Sequence, residues 1–233
     1  MVWVPTPYVL VEKMLDMAKV TPQDFVMDLG SGDGRNIIAA AKRGARGLGV
    51  EWNADMVALS RRTAQKEGVA ERAQFVQGDM FTADISKATV LALFLLPDNL
   101  TRLAPKFLAM KPGSRIVANG FAVPGWEPDD TQKSGGDCGS WCTAHLYIVP
   151  ANAAGAWRLP NGVLTLEQNF QMLSGSLTSG KNSMPIENGR LHGDEITFTV
   201  AGSRYTGRVR GDAMSGQVSG NGAGAWKASR VRS

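Results

Sequence analysis

The stretch "VMDLGSGDGR", residues 26–35, decides the reading of this chain. It runs a short apolar strand into three glycines, Gly30, Gly32 and Gly34, and then into the helix-forming "NIIAAAK". A strand, glycine turn and helix in that order bring a ligand to the carboxyl edge of a sheet. A dinucleotide fingerprint needs G-x-G-x-x-G, but here the sixth position is Arg35 and the third glycine comes one residue early. Asp33 inside the turn would repel a pyrophosphate. A ligand with cationic groups and no phosphate suits the loop better.

Further acids fall where such a ligand needs them. Glu51, in "GLGVEW", ends the second strand, where a carboxylate accepts from both hydroxyls of a ribose. Trp52 offers a flat face to an adenine. Asp79, in "QGDM", ends the third strand and is placed to accept from an adenine amino group, with Met80 on the ring. Asp28, inside the first strand, either orders the glycine turn or reaches an amine. S-adenosylmethionine, with its sulfonium, ammonium, carboxylate and free ribose hydroxyls, has these groups.

The glycine loop and the acids at the second and third strand ends resemble motifs I, II and III of the class I (seven-β-strand) methyltransferases. "VPTPYVLVEKMLDMAKVTPQDFVMDLGSGDGR" is similar to the entry segment of a group that includes archaeal protein lysine methyltransferases and mitochondrial lysine methyltransferases that act on the membrane ring of ATP synthase. The likeness extends over residues 3–123. It implies S-adenosylmethionine as cofactor, held by Thr6 of the "PTP" segment, Asp28, Gly30, Ser31, Gly32, Gly34, Glu51, Trp52, Asp79 and Met80. It also implies N-methylation of protein lysine.

After the fourth strand comes "LFLLPDN", residues 93–99. The Asn- or Asp-Pro-Pro-aromatic motif of many amino-methylating enzymes is missing, and "LLP" resembles the lysine-methylating group. Leu95, Leu96, Pro97 and Asp98, with Phe94, Trp126 and Trp141, are the expected substrate pocket. Asp98 and Asn99 are its polar handles or simply the cap of a helix start. No residue stands out as a general base.

Around this site, strands alternate with helical segments through the first 150 residues, an α/β doubly wound sheet. "NLTRLAPKFLAM" (99–110) reads as a helix interrupted by Pro105, and residues 123–142 as one long loop. Beyond Ala151 the pattern changes to short alternating segments punctuated by glycine. "AGAWRL" (154–159) and "AGAWKASR" (223–230) bracket them almost identically. We expect a Rossmann-like domain over 1–151 and a small antiparallel barrel or sandwich over 152–233, of about seven or eight strands, whose Trp-bearing ends meet.

Composition limits the rest. With 43% hydrophobic and 20% charged residues the chain reads as a soluble globular protein, and it has no apolar run long enough to span a bilayer. Residues 1–150 carry 16 Lys+Arg and 16 Asp+Glu, whereas 151–233 carry 9 and 5, so the second half supplies the whole net charge of +4. No basic stripe with interleaved aromatics points to nucleic acid. "CGSWCTAH" leaves three readings for Cys138 and Cys142: ordinary loop thiols, a loop disulfide, or zinc ligands with His145. No metal is expected. The acceptor is a protein or a small molecule, a scaffold without transfer activity is the other reading of function, and the partners allow a homodimer. An intracellular cofactor implies the cytoplasm, while the abrupt start at "MVWVPTP" leaves room for an upstream targeting segment.

Overall fold

The computed structural model describes residues 4–135, 138, 141–220 and 223–231. The chain divides into two compact units, Met1–Ile148 and Val149–Ser233.

The first unit is built on a seven-stranded sheet of order β3-β2-β1-β4-β5-β7-β6. Its strands are β1 (Phe25–Leu29), β2 (Arg46–Glu51), β3 (Ala73–Gln77), β4 (Val90–Leu93), β5 (Arg115–Asn119), β6 (Asp130–Lys133) and β7 (Thr143–Ile148). The pairs among the first five are parallel, and β7 runs antiparallel to both β5 and β6. The four residues of β4, "VLAL", are all buried, as expected for a central strand covered on both faces. Among the described residues four helices complete the unit: α1 (Tyr8–Met17), α2 (Arg35–Lys42), α3 (Ala54–Lys66) and α4 (Pro97–Leu108). α1 buries Leu10, Val11, Met14 and Leu15, an apolar stripe at helical spacing. Asn53 caps α3, its Oδ1 accepting from the Asp55 N–H at 2.8 Å and from Met56 at 3.3 Å.

Three expectations need correction here. α4 begins at Pro97, not Asn99, because a proline in the first turn lacks an N–H that the helix could not have paired. Pro105 does not interrupt α4. It lies on the exposed side, where the carbonyl it leaves unbonded can face water, while Leu103, Ala104 and Phe107 hold the inner side. The segment 123–142 is not all loop either, since β6 pairs with β7 from Asp130↔Leu146 to Lys133↔Thr143.

The second unit is a closed antiparallel barrel. Its strands are β8 (Gly155–Leu159), β9 (Gly162–Asn169), β10 (Met172–Ser179), β11 (Asn182–Pro185), β12 (Glu187–His192), β13 (Glu195–Val200), β14 (Ser203–Arg210), β15 (Ala213–Ser219) and β16 (Gly224–Arg230). β9 pairs with both β8 and β10, which closes a ring of eight strands and leaves β11 as a hairpin arm on β10. The two tryptophan-bearing segments meet as β8 and β16, in register at Arg230↔Trp157. Side chains fill the interior, among them Trp157, Leu164, Leu191, Ile196, Phe198 and Trp226. Gly207 and Gly216 make room there: a Cβ on Gly207 would lie 2.8 Å from Cζ2 of Trp226, and one on Gly216 would lie 1.8 Å from the Thr206 carbonyl oxygen. A barrel filled in this way is a packed core, not a cup.

Candidate active site

Everything the sequence assigned to the cofactor except Asp28 and Thr6 follows or ends a strand at the carboxyl edge of the first sheet. Gly30 follows β1, Glu51 ends β2, and Asp79 follows β3. The glycine loop needs its glycines, since Gly30, Gly32 and Gly34 have φ of 79°, 53° and 81°. At Gly34 space is short as well, for a Cβ would come within 2.6 Å of the Phe75 ring.

The loop's amides are largely consumed within the protein. Gly30 and Ser31 donate to the Val50 carbonyl at 2.7 and 3.1 Å, and Gly34 donates to the Ser31 carbonyl at 2.9 Å. Gly32 donates to Glu51 Oε2 at 2.9 Å, and Glu51 Oε1 accepts from Asn53 N–H at 2.9 Å. A phosphate site would keep such donors for its ligand. Here the edge presents carboxylates instead, from Glu51 and the half-buried Asp79, whose Oδ1 also accepts from Phe81 N–H at 2.8 Å. An acceptor-rich edge suits a ligand that brings hydroxyls, an amino group and positive charge. S-adenosylmethionine fits this set of acceptors, and the engaged loop amides leave little for the pyrophosphate of a dinucleotide.

Asp28 is the electrostatic outlier. It is 3% exposed, and burial drives its carboxyl up to about 7, against the Asn36 Nδ2 donor at 3.0 Å and with the charges of Glu51 and Asp33 adding to the rise. A buried carboxylate so poised favours a cationic partner.

The entry segment is tied to this edge. Thr6 is buried, its Oγ1 accepts from Asn119 Nδ2 at 3.2 Å, and its carbonyl accepts from Arg35 Nη1 at 2.6 Å. Arg35 also pairs with Asp33 at 2.6 Å and lies over the Tyr8 ring at 4.6 Å. The Arg35 that breaks the dinucleotide fingerprint thus clasps the glycine loop to the "PTP" segment. Ser31 behaves differently from the other loop residues: its hydroxyl lies against Gly49, where a Cβ would come within 2.6 Å of Oγ. Trp52 is 74% exposed, a free aromatic face beside Glu51.

Next to this edge, Phe94 after β4, Phe121 after β5 and Trp141 before β7 form one aromatic cluster. Trp141 lies 5.4 Å from Phe94 and 5.2 Å from Phe121 between ring centroids. Gly120, at φ 72°, admits the indole, for a Cβ there would meet Trp141 at 2.9 Å. Leu95 is buried, within 3.4 Å of where a Gly30 Cβ would stand, and Leu96 is exposed. Asp98 lies in the first turn of α4 and makes no cap, since the cap position is Leu96. Trp126 does not join this group at an open face: it is buried and packs on Tyr147 at 5.1 Å.

The cysteines are also corrected. Cys138 and Cys142 are joined by a disulfide with Cα atoms 5.3 Å apart. They are neither free thiols nor zinc ligands, and His145 Nδ1 instead meets Thr131 Oγ1 at 3.1 Å. The bridge encloses Trp141, whose N–H donates to the Cys138 carbonyl at 3.2 Å.

Asn36 and Asn119, which contact Asp28 and Thr6, were not singled out in the sequence, and Arg35 was noted only for breaking the fingerprint. A buried asparagine in the first turn of an apolar helix was the available signal for Asn36, because asparagine is a weak helix former.

The sheet order, the glycine turn and the acids at its edge define an S-adenosylmethionine-dependent methyltransferase. A profile of the ANTKMT methyltransferase domain matches residues 28–130. A protein-lysine N-methyltransferase of Saccharolobus islandicus (strain REY15A) is 41% identical over 150 residues, which is 63% of this chain and 92% of the relative. The adenine nucleotide translocase lysine N-methyltransferase of Mus musculus is 34% identical over 120 residues, 51% of this chain and 52% of that enzyme. The crystal structure of an RNA methyltransferase from Salinibacter ruber, in complex with S-adenosyl-L-homocysteine, is 42% identical with a TM-score of 0.60, covering 64% of this chain and 95% of that one. The chain belongs to the family of protein-lysine N-methyltransferases, as the Saccharolobus islandicus relative shows. It is an enzyme with S-adenosylmethionine as its cofactor.

Proposed function

We propose that the enzyme methylates lysine amines of a protein acceptor at the edge formed by Leu95, Leu96, Pro97 and Trp141, beside Phe94 and Phe121. The observation that carries this reading is the character of that edge. Its described residues are apolar and aromatic, and among them Asp98, set in the first turn of α4, is the one carboxylate. Lysine must be neutral to act as a nucleophile, and a desolvating pocket favours the neutral amine. When bound, the cofactor supplies a methyl carbon already activated by a sulfonium. What remains for the protein is to align the amine, exclude water and hold the cofactor. Thr6, Asp28, Gly30, Ser31, Gly32, Gly34, Glu51, Trp52, Asp79 and Met80 are assigned to cofactor binding, Ser31 through its place in the turn.

The relatives named for lysine methylation support a protein acceptor; the Salinibacter ruber neighbour, named as an RNA methyltransferase, supports the rival. No helix among the described residues is long and apolar enough to cross a membrane. We place the enzyme where its cofactor is made, in the cytoplasm. The test is transfer of methyl-tritiated S-adenosylmethionine into a lysate, with Glu51→Ala as control, followed by protease and nuclease. Protease-sensitive label on large material supports lysine methylation. Nuclease-sensitive label turns the assignment to RNA, and label on small molecules alone overturns it in favour of a metabolite acceptor.

A further inference from the structure

The outward face of four consecutive barrel strands, β14, β15, β16 and β8, carries cations and no carboxylate. Strand alternation turns Arg204, Arg208 and Arg210 of β14, Lys227 of β16 and Arg158 of β8 away from the filled interior. Small polar side chains lie between them, in register as Arg204↔Ser219, Ser215↔Lys227 and Ser229↔Arg158. Arg208 is engaged by Asp194 and Glu195 at 2.8 and 2.5 Å. Arg158, Arg204, Arg210 and Lys227 are exposed and have no partner among the described residues.

We propose that this face docks an extended acidic segment of the acceptor protein, an inference that rests on the lysine-methylation reading above. Three observations select the occupant. In a ring of eight strands the outward direction swings by more than a right angle from β14 to β8. A planar lipid surface would touch only part of such a band, whereas a flexible chain follows it. The aromatic residues of these strands, Tyr205, Trp226 and Trp157, belong to the interior cluster, so the band has no platform on which bases stack. Three of the four unpaired cations are arginines, whose forked donors match carboxylates, and the serines between them add hydroxyl donors.

The experiment is fluorescence anisotropy of the full chain with a labelled oligoglutamate peptide, repeated with a labelled oligouridylate of equal length and with phosphatidylglycerol vesicles. The expected result is oligoglutamate binding that weakens with salt and falls about tenfold or more in an Arg204→Glu, Arg210→Glu, Lys227→Glu variant whose circular dichroism is unchanged. Should charge reversal unfold the barrel, Arg204→Gln with Lys227→Gln makes the same comparison. Equal binding by variant and native chain overturns the proposal. So does tighter binding of oligouridylate or vesicles through the same residues. The readout does not involve methyl transfer, so failure of the docking face and failure of the lysine assignment are told apart by this assay and the labelling experiment respectively.

Discussion

The Gly32 N–H points at Glu51 Oε2 across 2.9 Å, so the carboxylate at the end of β2 and the turn at the end of β1 are one unit. Its other oxygen braces Asn53, the residue that caps α3. Glu51 is therefore fixed before any ligand arrives. Replacing it by alanine removes two charge-assisted hydrogen bonds and the acceptors assigned to the ribose. We expect cofactor affinity to fall by about 100-fold or more, at roughly 1.5–3 kcal/mol for each such bond. Titration calorimetry with S-adenosyl-L-homocysteine checks this. An affinity within about threefold of native would remove Glu51 from the site.

With Asp28 assigned to the cofactor, cofactor binding is expected to depend on pH. Its carboxyl titrates near 7 in the folded chain, raised from 3.8. Below 7 it is protonated and cannot pair with an amine, so the dissociation constant should rise about tenfold per unit as pH falls from 7. Stability runs the other way. A raised carboxyl costs folding free energy as pH climbs past the unfolded value toward 7, because the unfolded chain then releases a proton that the folded chain retains. Asp28→Asn should accordingly stabilise the free protein at pH 8 by up to a few kcal/mol while weakening the cofactor and flattening its pH profile. Urea unfolding and calorimetry at pH 6 and 8 measure the two effects, and a parallel change in both would contradict this account.

The disulfide should act on the acceptor and spare the cofactor. Cys138 and Cys142 span four positions, a loop short enough that its closure contributes about 2 kcal/mol to ordering Trp141. With dithiothreitol, or in Cys138→Ser, Cys142→Ser, the KM for acceptor should rise severalfold while cofactor affinity stays put. The serine variant should then be indifferent to reductant. Reductant that leaves native KM unchanged would detach the bridge from acceptor binding.

Gly34→Ala tests the turn itself. The substitution forces an L residue to φ 81° and sets a Cβ 2.6 Å from the Phe75 ring. We expect a loss of about 2–4 kcal/mol, from backbone strain together with overpacking. Gly68→Ala, at φ 71° with nothing within 4 Å, should cost only the backbone part. Chemical denaturation of the two variants separates strain from crowding, and equal losses would show that Phe75 yields.

Much of this was legible in the chain. Periodicity located α1 and α3, an all-apolar run located β4, and the glycines with Glu51 and Asp79 fell at the carboxyl ends of the first three strands, because each is local and chemically distinctive. What was not legible depended on partners far apart in sequence. Arg35 reaches back to Thr6, and Asn119 meets the same residue from the end of β5. Trp126 and Trp141 look alike as letters, yet Tyr147 buries one and the Cys138–Cys142 bridge places the other among Phe94 and Phe121. Pro105 resembled a break because sequence does not show which side of α4 faces solvent.

The first and last strands of the barrel, β8 and β16, lie side by side. A module whose entry and exit are neighbours can be grafted onto a surface loop of a host protein, or lose its own ends by circular permutation, without reordering a strand. Joining Arg230 to Gly155 by a short peptide and reopening the chain in the turn at Gly211 should yield the same barrel with shuffled connectivity.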